Sequence, residues 1–125
     1  LLIGNQAIDF RTRASYGWQF LDLGEEWRSR TGLPFVFALW LMRGDVPNAE
    51  AIGDELRAMK RDGLAHIPEI IRANREHDPA LATRYLTKHI CFGCGVREKA
   101  GLERFRDLLA KHGFIAMGGA PMRFV

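Results

Sequence analysis

The sequence predicts an α/β fold on three observations. An unbroken apolar run stands directly behind a proline, a short apolar start ends at a glycine, and helical periods occupy most of the rest of the chain. Residues 33–42 contain no ionisable side chain, and Pro34 disfavours the helical region at Leu33. The run Phe35-Val36-Phe37-Ala38-Leu39-Trp40-Leu41-Met42 shows no polar alternation, and its aromatic and β-branched content favours a strand covered on both faces. Length alone would also allow a buried helix.

Each remaining element follows from local chemistry. Leu1-Leu2-Ile3-Gly4 reads as a buried strand, and Asn5 as the cap of a short helix carrying Ala7, Ile8 and Phe10. Residues 16–23, from Tyr16 through Gly17, read as an irregular aromatic connection. Asp22 lies three residues before Glu25, the spacing of a capping box, so a two-turn helix with Trp27 facing inward is expected to end at Thr31-Gly32. Pro47 or Asn48 opens the next helix, whose apolar positions Ile52, Leu56 and Met59 run to a stop at Gly63. Leu64, Ile67, Ile70 and Ile71 form a second stripe, with Pro68 in its first turn. Asp78-Pro79 caps a helix that turns Leu81, Tyr85 and Leu86 inward. Residues 90–95 read as extended, Leu102, Phe105, Leu108 and Leu109 mark a last amphipathic helix ended by Gly113, and residues 114–125 read as a loose tail.

Two strands cannot supply both neighbours of a buried strand at 35–42, so further strands are expected upstream of Leu1, where the chain starts without Met or a polar lead-in. At 125 residues, 47% hydrophobic and 26% charged, the composition is that of a globular domain. The net charge of +3 comes from basic residues scattered along helices, which suits a small anionic ligand, and no motif calls for nucleic acid. The apolar run is about half the roughly twenty residues of a membrane helix, so no membrane partner is expected. Two cysteines are too few for a secreted disulfide scaffold, and a reducing cytoplasm is the default.

Motifs for metal or cofactor chemistry are weak. His89-x-Cys91-x-x-Cys94 lacks a fourth zinc ligand and the helix-start position of a redox cysteine, so two buried thiols in a β-like segment are expected. A deaminase would need H-x-E before P-C-x-x-C. His66, His77 and His112 are dispersed and read as surface or helix-end residues. Gly93-x-Gly95 lacks the third glycine of a dinucleotide fingerprint, and no phosphate loop occurs. No metal is expected. Asp22, Glu25 and Glu26 could pair as acids, yet capping explains the first two. That leaves the strand ends, Gly4 and Asn5 after the first and Phe35 and Phe37 in the second, at places where open α/β folds bind ligands. Composition and spacing favour this equally with Gly4 merely ending a strand and Phe35 and Phe37 being core.

"LLIGN", "DLGEEWRSRTGLPFVFALW" and "YLTKHICFGCGVREKAGLERFRDLL" together resemble the C-terminal half of the chorismate dehydratase family of the futalosine route to menaquinone. The likeness covers essentially the whole chain. A sister enzyme that forms dihydroxynaphthoate is also similar, but it carries a catalytic histidine where this chain has Gly4. The resemblance implies a two-lobed fold like type II periplasmic binding proteins. Residues 1–33 would finish one lobe, and residues 34–125 would hold the crossover strand and the helices returning to the other. It also implies cofactor-free elimination of water from chorismate, in the cytoplasm, with a homodimer possible. Gly4, Asn5, Phe35 and Phe37 would line the cleft between lobes. The residues that carry acid-base work in the family lie in its N-terminal half, so no catalytic residue carries over, and Ile3-Gly4-Asn5 departs from the family's I-G-D. A solute-binding module for a small carboxylate is the alternative.

Overall fold

The computed structural model describes residues 1–14, 17–118 and 121–125. Two compact units divide the chain, Leu1–Gly32 and Leu33–Val125. Among the described residues all regular secondary structure is helical.

In the first unit, α1 spans Asn5–Arg13 and α2 spans Leu23–Thr31. The cap of α1 is Gly4 rather than Asn5: its φ of 65° lies in the left-handed region that glycine tolerates, and Ala7 donates to its carbonyl at 3.0 Å. The connection behind α1 forms an aromatic cluster. Phe10 meets Trp18 edge-to-face with centroids 5.4 Å apart and Phe20 at 6.1 Å, while the Arg11 guanidinium lies 5.6 Å from the Phe20 centroid. Tyr16, expected in this connection, lies outside the described residues. α2 starts and stops where its sequence specifies, but Asp22 alone caps it, without the return bond from the Glu25 side chain that a capping box would add. Asp22 Oδ1 accepts from the Gly24 and Glu25 amides at 2.9 and 3.1 Å, Trp27 is half-buried, and Gly32 takes the left-handed exit at φ 70°.

The second unit begins with a departure. Neither residues 1–4 nor residues 35–42 form a strand, and residues 35–42 are not a helix either. Phe37, Trp40 and Leu41 are 77%, 82% and 86% exposed, so the expected covering of both faces does not occur. The cause is pairing: strand backbone is satisfied only by a neighbour, and no strand among the described residues is there to provide it.

Helices α3 (Ala49–Ala65), α4 (Ile67–Ala73), α5 (Pro79–Arg84) and α6 (Val96–Lys111) follow, with a π-helical turn at Tyr85–His89. α3 runs through Gly63 instead of ending there. Pro68 sets the break, because it cannot donate to the carbonyl a turn behind it, and the chain restarts beyond His66 with the proline in the first turn of α4. Asp78 caps α5 by accepting from Leu81 N–H at 2.9 Å. Ile90 then donates to Tyr85 O at 3.0 Å, five residues back, and this wide turn advances the inward position. Leu86 is half-buried, while Tyr85, expected inward beside it, is exposed.

Glu98 accepts from the Gly95 amide at the start of α6, and Gly113 at φ 76° ends that helix, with Phe114 donating to Leu109 O at 2.9 Å. The end of the chain is not loose. Arg57 donates to the Val125 carbonyl at 2.9 Å, Gly53 leaves room for the Val125 side chain, and the Lys99 ammonium lies 4.6 Å from the Phe124 ring centroid. The last residues therefore tie α3 to α6. Burial is slight throughout: Ala82 is the one buried apolar side chain among the described residues, with Gly53 and Gly101 the buried glycines.

Candidate functional site

The four site residues expected from sequence fall into both units. Gly4 and Asn5 stand, exposed, at the start of α1. Gly4 has no side chain with which to cap the helix, so the Asn5 and Gln6 amides at the start of α1 receive no side-chain cap. Asn5 is the first helical residue and not the cap.

Phe35 and Phe37 belong to the second unit, where the structure does bring them together. Their rings meet edge-to-face with centroids 5.0 Å apart, and Phe35 meets Phe105 of α6 at 5.3 Å and 86°. Gly101, one turn before Phe105, makes this approach possible. A Cβ built there would clash with the Pro34 carbonyl oxygen. Leu33, Pro34 and Phe35 are thus held flat on α6, and Phe37 projects beyond them into solvent.

Phe105 is a site neighbour that the sequence did not disclose. Its place in an apolar helical stripe says that it packs but not against what. The usable hint was a glycine inside a helical pattern four residues earlier, which signals a close backbone approach.

A second feature was also missed, a pocket of about 280 Å³ lined by Lys60, Gly63, Leu64, Ile67, Ile70, Leu86 and Phe92. Leu86 reaches it through the π-helical turn, and Phe92 through the Cys91-Phe92-Gly93-Cys94 segment. That segment is not a strand, and both thiols are exposed rather than buried, because no sheet lies over them. Among the described residues no three His, Cys, Asp or Glu side chains gather as a metal site. No described helix is long and apolar enough to cross a membrane.

Charged groups near these features are held by local pairs. Arg43 grips Asp45 through two bonds, Nε to Oδ1 at 3.0 Å and a terminal nitrogen to Oδ2 at 2.5 Å, which lowers the Asp45 carboxyl and raises the guanidinium. His66 Nδ1 sits 2.8 Å from the Asp62 carbonyl. That bond, with the Asp62 carboxylate second, raises its imidazole above the ordinary value.

The family described as menaquinone biosynthesis matches residues 1–111, nearly the whole chain. The chain belongs to that family. Within the menaquinone biosynthesis family, a chorismate dehydratase of Thermus thermophilus is 33% identical to it over 91 residues, covering 70% of this chain and 33% of that protein. The chain therefore spans about a third of the length of this relative. No solved structure matches it. The family assignment agrees with the resemblance read from the sequence.

Proposed function

We propose that this chain is the C-terminal part of a cytoplasmic chorismate dehydratase acting on the futalosine route, converting chorismate to 3-[(1-carboxyvinyl)oxy]benzoate. The observation that carries this reading is the likeness to the Thermus thermophilus chorismate dehydratase. In the reaction a ring proton goes to a base, the ring hydroxyl departs, the two leave as one water, and the ring becomes aromatic. No electrons are gained or lost overall, so no redox cofactor is required. With aromatisation as the driving force, the protein has to orient the substrate, accept the proton and hold two carboxylates.

In this reading the enzyme has two lobes like a type II periplasmic binding protein. Residues 1–33 finish one lobe, residues 35–42 form the strand that crosses to the other, and sheet neighbours from the rest of the polypeptide cover that strand. The uncapped start of α1 at Gly4 and Asn5 receives a substrate carboxylate, since helix amides favour an anion there. Phe35 and Phe37 give the ring an apolar wall. The proton-accepting base comes from residues outside this chain, and the 125 residues alone are inactive.

Incubating the full-length enzyme with chorismate and following ultraviolet absorbance and the mass loss of one water tests the activity. Chorismate retained unchanged would instead establish a solute-binding module. In this reading the Asn5 side-chain amide donates to the same carboxylate beside the helix amides, so Asn5→Leu in the same enzyme is expected to raise KM for chorismate about tenfold, the loss of one hydrogen bond to a charged group. Unaltered turnover and KM would remove Asn5 from the site.

A further inference from the structure

Residues 33–35 are fixed on α6 at two points one helical turn apart. At Gly101 the Pro34 carbonyl oxygen occupies the space a Cβ would need, and the Leu33 Cβ lies 3.8 Å from that position. Four residues on, along the same face of the helix, the Phe105 ring meets the Phe35 ring edge-to-face at 5.3 Å and 86°. Two points set both the place of the segment and its direction along the helix. Phe35 in turn meets Phe37 at 5.0 Å and 72°, so the rings form one edge-to-face series that starts on a helix and ends at Phe37. All of these contacts are made within this chain.

We propose that Phe105 is a positioning residue for chorismate: it holds Phe35, and through Phe35 the Phe37 ring, in the orientation that presents an apolar wall to the substrate ring. The proposal rests on the dehydratase reading of Phe35 and Phe37 proposed above. Phe105 acts through Phe35 and not on the substrate.

The anchorage on a helix is what gives the wall its direction. A phenylalanine side chain in an extended segment can turn among staggered positions about its first torsion. An edge-to-face contact on each side of Phe35 removes that freedom before the substrate arrives. Gly101 serves the same end, because only a residue without a side chain lets the Pro34 backbone come close enough for Phe35 to reach Phe105.

The size of the effect follows from counting. Releasing one ring into its staggered wells divides the competent population by about three, and releasing Phe37 as well divides it by about nine. The apparent affinity for substrate falls by the same factor, without any change at the reacting atoms.

Steady-state kinetics of the full-length enzyme with chorismate test this. Phe105→Leu, which keeps apolar bulk and loses the ring, is expected to raise KM about three- to ninefold with kcat kept within about twofold. A purely structural role would do the reverse, lowering kcat through fewer active molecules at an unchanged KM. Phe105→Tyr keeps the ring and, at a position 37% exposed, can leave its hydroxyl in water, so its KM should lie within about twofold of the parent's. Phe35→Leu should raise KM by itself, and adding Phe105→Leu to it should change KM by less than about twofold, because the second residue acts through the first. An unchanged KM in Phe105→Leu, a loss confined to kcat, or effects that simply multiply in the double variant would each overturn the positioning role and leave the dehydratase reading in place. A parent enzyme that does not turn chorismate over sinks that reading and the proposal together.

Discussion

Residues 22–32 and residues 33–42 are neighbours in sequence, and they obey different rules. In the first stretch everything is settled within a few residues: Asp22 satisfies two amides, Glu26 holds Arg30 at 2.5 Å, Thr31 donates to the Trp27 carbonyl, and Gly32 turns the chain out. In the second stretch the contacts that fix the start come from α6, more than sixty residues later, and beyond Phe37 the side chains stand largely in solvent. A helix satisfies its own backbone, whereas an apolar extended segment acquires structure only from what it meets.

The sharpest way to break this contrast is Gly101→Ala. Alanine would gain about 1 kcal/mol of helix propensity in α6. Its Cβ would meet the Pro34 oxygen, and overpacking of this kind costs typically about 1–3 kcal/mol. The clash should win, with a net loss of up to about 2 kcal/mol in urea unfolding. A stabilised variant would show that residues 33–35 are not held on α6. Phe105→Ala should cost about 1–2 kcal/mol, less than a fully buried ring because Phe105 is partly exposed, and should release Phe35 as seen in its ring proton shifts.

Effects in the first stretch should be smaller and confined to it. Asp22→Ala removes a side-chain cap and should cost about 1 kcal/mol, with lost amide exchange protection in α2 and none in α6. An equal loss of protection in both helices would refute the claim that residues 22–32 are locally determined.

The smallest expected effect is electrostatic. His66 has a raised folded-state value, so its contribution to stability is complete below the ordinary imidazole value and fades as pH rises through the raised one. A proton NMR titration should place its midpoint above about 6.5. Asp62→Asn should lower that midpoint only in part, because the larger cause is the Asp62 backbone carbonyl.

What was legible in the sequence divides along the same line. Caps at Asp22 and Asp78, exits at Gly32 and Gly113, and the stripe of α6 were readable because each depends on residues within one turn. Pro68 rather than Gly63 broke the third helix, since a missing donor outweighs a flexible residue in a helix interior. The strands at 1–4 and 35–42 were expected from composition, yet their pairing depends on neighbours that composition does not place. Exposure of Cys91 and Cys94 follows from the same lack of cover. Of the residues expected at the site, Phe35 and Phe37 touch each other. Phe105 escaped because no spacing in the sequence connects it to them, and the role of Gly4 as a cap escaped because it has no side chain to signal it.

The wide turn at Tyr85–His89 holds one residue more than an ordinary helical turn would. Shortening this loop of backbone by a single residue should let α5 continue with a regular ladder. Everything downstream would then swing by about 100° around the axis, carrying Leu86 and Phe92 away from the aliphatic faces of α3 and α4. A chain with this deletion is expected to keep its helices and lose the hollow between them, which would make the hollow a consequence of an irregularity in spacing.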